Sequence, residues 1–178
     1  MDIYMPMSTT VRHNKITTTL SSAVIDLLRK KEILALQEEC ALVHWGFKSK
    51  QDFKALVDIN AIVDVEEFKK YTIYELDFVQ PDFFVFKKNK YLCNERETRI
   101  AGYPDLIVEV WSESNTQAEK DFKLALYSSS PTTEHWYIEQ DRNEVVCYLG
   151  GTRIENQYLT DKLVTCSGLK FDLRYLAI

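Results

Sequence analysis

Pro104-Asp105-Leu106-Ile107-Val108-Glu109-Val110-Trp111, set against Pro81-Asp82-Phe83-Phe84-Val85-Phe86, is the stretch whose reading decides the fold. Each Pro-Asp pair opens a short apolar run of β-branched or aromatic residues, and such runs between turn formers read as buried strands. Taken singly, a Pro-Asp pair is ordinary turn chemistry, with Pro setting φ and Asp bonding a nearby amide. Glu109 is different, because it stands inside the second run with valine on both sides. A buried acid is costly unless a cation or a donor compensates it. A buried arginine would serve that purpose, and so would a metal. If the two runs pair antiparallel, Asp82 at the entrance of the first falls beside Glu109 near the end of the second. Two carboxylates then meet at one edge of the sheet, which is the way a Mg²⁺ site is built.

The next segment supports the metal reading. Ser112-Glu113-Ser114-Asn115 leads into residues 116 to 127, where Ser114 or Asn115 is the expected N-cap. Ala118, Phe122, Ala125 and Leu126 then recur at helical spacing and are the expected apolar face. Glu119, Lys123 and Tyr127 lie four residues apart and share a stripe beside that face. The strand carrying Glu109 therefore feeds into a helix presenting Glu119 and Lys123. A lysine near two carboxylates and a metal can stabilise the charge of a phosphorane-like state or orient a water.

These residues resemble the Uma-two family, within the PD-(D/E)XK nuclease superfamily. The resemblance is carried by 79–83, 101–110, Ser112-Glu113-Ser114, 123–127, 134–138 and the tail from Tyr158 to Asp161 and Leu169 to Leu173. Upstream, His13 and the apolar segment from Ile16 to Leu28 resemble the first helix of the family. No single motif is specific, whereas the ordered set covers most of the chain. The resemblance implies an α/β fold of the restriction-endonuclease-like type, a mixed sheet flanked by helices. It makes Asp82 and Glu109 the metal-binding carboxylates and Lys123 the lysine that has moved to the following helix, with Lys120 as its competitor. Glu119 stands where the family usually has Asp, and Trp111 occupies the place two residues after Glu109 where the superfamily lysine is expected. Asp105 is expected to be structural.

The implied activity is Mg²⁺- or Mn²⁺-dependent hydrolysis of DNA phosphodiester bonds, with DNA as partner and a homodimer as the assembly. The departures are Glu113 for the usual Pro, Pro131-Thr132-Thr133 for the usual Gly-Val, and the lack of the acidic segment that precedes the first helix in the family. On these rests the competing expectation, a catalytically inactive nuclease-fold module that binds nucleic acid or protein.

Bulk properties narrow the choices. A chain of 178 residues, 46% hydrophobic and 28% charged, is expected to be a single globular domain over 1–178. No run approaches the roughly 18 apolar residues of a membrane span, and no signal peptide is read, so the expected location is cytoplasmic and away from membranes. The four cysteines are scattered and form no C-x-x-C pair, which argues for reduced thiols over zinc or disulfides. His13 is either a cleft residue or a structural one, and His44 and His135 beside tryptophans read as packing or rim positions. A net charge of −5 argues against a nucleic-acid coat protein but not against a nuclease, whose site is acidic before its metal arrives. Lys87, Lys88, Lys90, Arg96 and Arg99 lie in or near the connection between the two motif strands, where a hairpin loop would track a DNA backbone or simply be solvated.

Elsewhere the pattern predicts helix from Ile16 to Leu28, continuing through Ile33, Leu34, Leu36 and Ala41. Short helical pieces are expected at 52–56 and 65–70, within a possible insertion at 45–75. Strands are expected at 136–138 and 145–149, and a short one near Gln157 to Leu159.

Overall fold

The two motif runs form adjacent strands, β4 (Phe83–Lys87) and β7 (Leu106–Trp111), paired antiparallel with Phe83 opposite Val108 and Val85 opposite Leu106. The structure is a computed structural model that describes residues 10–30, 32–37, 41–43, 78–87, 91–93, 99–102, 104–128, 130–158, 162–165 and 168–176. Ahead of β4 come helices α1 (Val11–Ala23) and α2 (Ile25–Arg29), then strands β1 (Ile33–Gln37), β2 (Ala41–Val43) and β3 (Phe78–Val79). Between β4 and β7 lie β5 (Tyr91–Cys93) and β6 (Arg99–Gly102). After β7 follow helix α3 (Gln117–Ser128), β8 (Glu134–Glu139), β9 (Glu144–Leu149), β10 (Thr152–Tyr158), β11 (Lys162–Val164) and β12 (Lys170–Asp172), closed by a 3₁₀ turn at Leu173–Tyr175.

The main sheet has six strands in the order β1-β4-β7-β8-β9-β10. Every pair in it is antiparallel except β7 with β8. A parallel pair cannot be closed by a tight turn and needs a crossover, most often a helix. Here α3 is that crossover, and this is why it packs against the face of β7 that carries Glu109.

Alternation along the strands divides the core in two. Phe83, Val85, Leu106, Val108, Val110, Trp136 and Ile138 face one way, where Ile16 and Leu20 of α1, Val24 just after it and the tail residues Phe171 and Leu173 cover them. Phe84, Phe86, Ile107, Trp111 and Tyr137 face the other way, toward Tyr127 of α3. Each fully buried phenylalanine of β4 contributes about 1.5–3 kcal/mol by leaving water. Strand β4 is buried on both faces, which is why its sequence is a continuous apolar run instead of an alternating one.

Several expectations need correction. Ile33–Gln37 and Ala41–Val43 are strands, not a continuation of the first helix. Short apolar runs do not distinguish helix from buried strand by periodicity alone, and here pairing of β1 with β4 decides the matter. The connection between the motif strands is not a simple hairpin loop, because β5 and β6 pair with each other there in a second sheet of order β3-β2-β6-β5. Lys88, Lys90 and Arg96 fall outside the described residues, as do His44 and the segment 45–75. The helix after β7 is capped by Thr116, whose hydroxyl accepts the Glu119 amide at 3.2 Å. Asn115 is otherwise engaged, its Oδ1 accepting the Ser112 amide at 2.9 Å.

The expected strands at 136–138 and 145–149 are the centres of β8 and β9, and the short strand near Gln157 is the end of the longer β10. Cys147 is a buried free thiol, as its scattered position suggested. His135 is fully buried and stacks on Tyr148 with centroids 5.1 Å apart, a packing position, and burial pushes its imidazole down to about 4. No helix among the described residues is long and apolar enough to cross a membrane.

Gly150 and Gly151 form the two-residue turn between β9 and β10, both with positive φ (53° and 82°). That twist matches the one hairpins favour. A side chain at Gly150 would also set its Cβ 2.6 Å from the Pro131 carbonyl oxygen. Gly150→Ala is therefore expected to lower unfolding free energy by roughly 1–3 kcal/mol, combining left-handed strain with a backbone clash. Urea unfolding measures it, and an unchanged midpoint would mean that the turn relaxes freely.

Candidate active site

One register step beyond Phe83 and Val108, Asp82 comes opposite Glu109. Both fall on the α3 face, because Phe84 and Ile107, the pair two steps away, belong to that core. The Asp82 carboxylate is fixed at both oxygens. Its Oδ2 accepts the Val110 amide at 2.6 Å, and its Oδ1 lies 3.2 Å from His13 Nε2. Glu109, 1% exposed, is likewise held at both oxygens: Lys123 Nζ donates to Oε2 at 2.7 Å and the Tyr127 hydroxyl donates to Oε1.

Helix α3 is thus turned differently from its expected orientation. Its inward side carries Glu119, Lys123 and Tyr127, the last fully buried, with Leu124 and Leu126 packed against the same core; of the expected apolar face Leu126 packs inward, whereas Ala118, Phe122 and Ala125 are exposed. The reason is electrostatic. Leaving Glu109 buried without a partner would cost more than burying the three apolar side chains would return.

The structure also separates the two candidate lysines. Lys123 meets Glu109. Lys120 instead bonds Glu139 at 3.3 Å and lies 4.8 Å over the Trp111 ring. Glu119 stays near Lys123 in charge terms and accepts from Asn115 Nδ2 at 3.4 Å. Asp105 lies at the far end of β7 and is structural, its Oδ2 accepting the Lys87 amide at 2.7 Å while its own amide donates to the Val85 carbonyl at 2.8 Å. A groove of about 190 Å³ on the same face is lined by Trp111, Lys120, Tyr148 and Arg153, and by neither carboxylate of the pair.

Burial pushes the Glu109 carboxyl up to about 7; the Lys123 ammonium opposes the rise and the Asp82 charge adds to it. Burial alone would lower the Lys123 ammonium, but Glu109, Asp82 and Glu119 together raise it. The Tyr127 hydroxyl is raised well above its ordinary range by burial and by Glu109. Asp82 adds to the rise of both Glu109 and Lys123, so the two carboxylates act on one another, and carboxylate oxygens are the donors that hard divalent cations prefer.

Among the described residues no group of three His, Cys, Asp or Glu side chains forms a complete metal cage. Mg²⁺ does not require one, since it commonly takes one or two carboxylates and completes its shell with water and substrate phosphate. Asp82 and Lys123 are 15% and 17% exposed while Glu109 is 1% exposed, so solvent reaches the pair from the Asp82 side. The residues present fit the cation.

Sequence reasoning named Asp82, Glu109, Lys123 and Glu119. It placed Tyr127 on the stripe without a role and left His13 open. The signals for both were there: a tyrosine one helical turn beyond Lys123, and a histidine three residues ahead of Ile16 in a buried stripe.

A six-stranded mixed sheet with helices on both faces and an acidic pair at one end of the β4–β7 pair is the restriction-endonuclease-like α/β fold. Residues 41–175 match the model of the Uma2 (Uma-two) family, described as "Putative restriction endonuclease", and the chain belongs to this family. Its structure is similar to the crystal structure of a "putative nuclease belonging to DUF820" from Anabaena variabilis ATCC 29413. The TM-score is 0.65, with 15% identity over 98% of this chain and 84% of that one, a likeness of fold. No curated protein matches the sequence.

The raised Glu109 pKa has a definite sign in stability. Relative to its ordinary 4.5, a folded value of about 7 favours the protonated form in the native state. The associated stability is complete below about 4.5 and is lost as pH rises through about 7. In metal-free buffer, the stability difference between wild type and Glu109→Gln is expected to move against wild type by roughly 3 kcal/mol between pH 4.5 and 8. Denaturant unfolding at several pH values measures this. A flat difference would show a carboxylate ionised throughout.

Proposed function

We propose that the protein is a Mg²⁺- or Mn²⁺-dependent endonuclease that hydrolyses phosphodiester bonds of DNA. The observation that carries this reading is Glu109, buried in β7, facing Asp82 across the strand pair and bound by Lys123 from α3. Asp82 and Glu109 would hold the cation. Bound there, a divalent cation supplies polarisation of the scissile phosphate and a lowered pKa for an attacking water. Lys123 keeps its proton under the pull of the surrounding carboxylates, so it offers a fixed positive charge to a phosphoryl oxygen as negative charge develops. Tyr127 holds the second oxygen of Glu109 and limits the rotation of that carboxylate. Glu119 acts through Lys123, adding to the field that keeps it protonated. Membership in a family described as "Putative restriction endonuclease" supports the choice of substrate.

One observation favours the second reading, a fold retained for binding alone. Both Glu109 oxygens already have donors, so the carboxylate is satisfied without a metal. Cleavage of supercoiled and single-stranded DNA in Mn²⁺ or Mg²⁺ separates the two. Wild type is expected to nick, Asp82→Ala and Glu109→Ala to abolish nicking, and Lys123→Ala to slow it on the order of 10²–10³-fold, as for loss of a donor to a charged transition state. Lys120→Ala is expected to stay near the wild-type rate. Metal-dependent DNA binding without cleavage in every protein would establish the binding module instead.

A further inference from the structure

We propose that His13 is a positioning residue of this site, delivered by the first turn of α1 to orient the Asp82 carboxylate for the divalent cation. The inference rests on the metal reading of Asp82 and Glu109 and adds a residue from a third element.

Three observations carry it. First, His13 opens the buried stripe of α1 that continues through Ile16, Thr17 and Leu20; Thr17 bonds the helix's own carbonyls, whereas the His13 ring reaches out of the helix to Asp82. Packing alone at a position 7% exposed would be served by an aliphatic side chain. A histidine costs desolvation there unless it has polar work to do. Second, its Nε2 lies 3.2 Å from Asp82 Oδ1, on the oxygen that the Val110 amide does not take. The two contacts together remove the rotation of the carboxylate, so metal ligation need not order it. Outer contacts of this kind on metal ligands typically govern affinity.

Third, the imidazole is placed by the backbone around it and not by Asp82 alone. The His13 amide donates to the capping hydroxyl of Thr10 at 3.1 Å. Arg12 donates to Asn143 Oδ1 at 2.6 Å, which fastens the same helical turn to the turn between β8 and β9. From that turn the Gln140 amide donates to the Trp111 carbonyl at 3.1 Å, at the end of the strand that carries Glu109. The first turn of α1 is thus tied, through one reverse turn, to the strand bearing the other carboxylate.

The test is Mn²⁺ binding, read from the electron paramagnetic resonance of free Mn²⁺, alongside thermal unfolding of wild type, His13→Ala, His13→Gln and Glu109→Ala. Glutamine keeps a donor near the place of Nε2. His13→Ala is expected to bind Mn²⁺ at least about ten-fold more weakly while unfolding cooperatively, and His13→Gln to recover most of that loss. Wild-type affinity in His13→Ala, or an equal loss in His13→Gln, would overturn the inference while leaving the metal site standing. Wild type that binds no Mn²⁺, indistinguishable from Glu109→Ala, would remove the metal reading and the inference with it.

Discussion

A carboxylate inside a fully buried strand is the constraint on which the rest of this structure turns. Glu109 has hydrophobic neighbours before and after it in β7, and its face of the sheet, Asp82 and His135 apart, is aromatic and aliphatic. Such a group must be neutralised or bonded on the spot. Helix α3 meets that need with Lys123 and Tyr127 together, one for each oxygen. Doing so obliges the helix to face the sheet with its polar stripe and to leave Phe122 58% exposed. Local amphipathicity is sacrificed to the electrostatics of one side chain.

The topology makes this arrangement possible. The one parallel step in the main sheet needs a crossover, and the crossover lands on the face where Glu109 points. The opposite face is covered by α1 and the C-terminal tail, whose contacts are almost wholly apolar. The two layers meet at one end of the β4–β7 pair, where the first turn of α1 reaches Asp82. The acidic pair therefore sits on the seam between both helical layers, each layer holding one carboxylate.

Much of this could be read from the residues. The continuous apolar runs gave β4 and β7, because strands buried on both faces need no alternation, and the Pro-Asp entrances gave their register closely enough to set Asp82 against Glu109. Lys123 was legible through its spacing from Glu119 and Tyr127. The face that α3 buries was not, since hydrophobic periodicity assumes that the core wants apolar groups, and here the core contains a charge. Strand β1 was missed because five residues with apolar Ile33, Leu34 and Leu36 suit either period, and only its pairing partner decides. His13 could not be assigned because its partner, Asp82, is remote in sequence, and contact across that separation is a product of topology.

Trp111 has a consequence for how such a site can change over generations. It stacks on Tyr137 with centroids 4.1 Å apart and carries the Lys120 ammonium on its ring. Trp111→Lys gives up that aromatic contact, a loss on the order of 3–5 kcal/mol for a buried tryptophan. It would also bring a further ammonium to a stretch where Lys123 already answers the charge of Glu109. Losing Lys123 first would strand Glu109, and replacing Trp111 first would break the aromatic pile. Neither order of substitution passes through a sound intermediate. Lys123 on the helix and Trp111 on the strand are thus each held by contacts that the other does not replace.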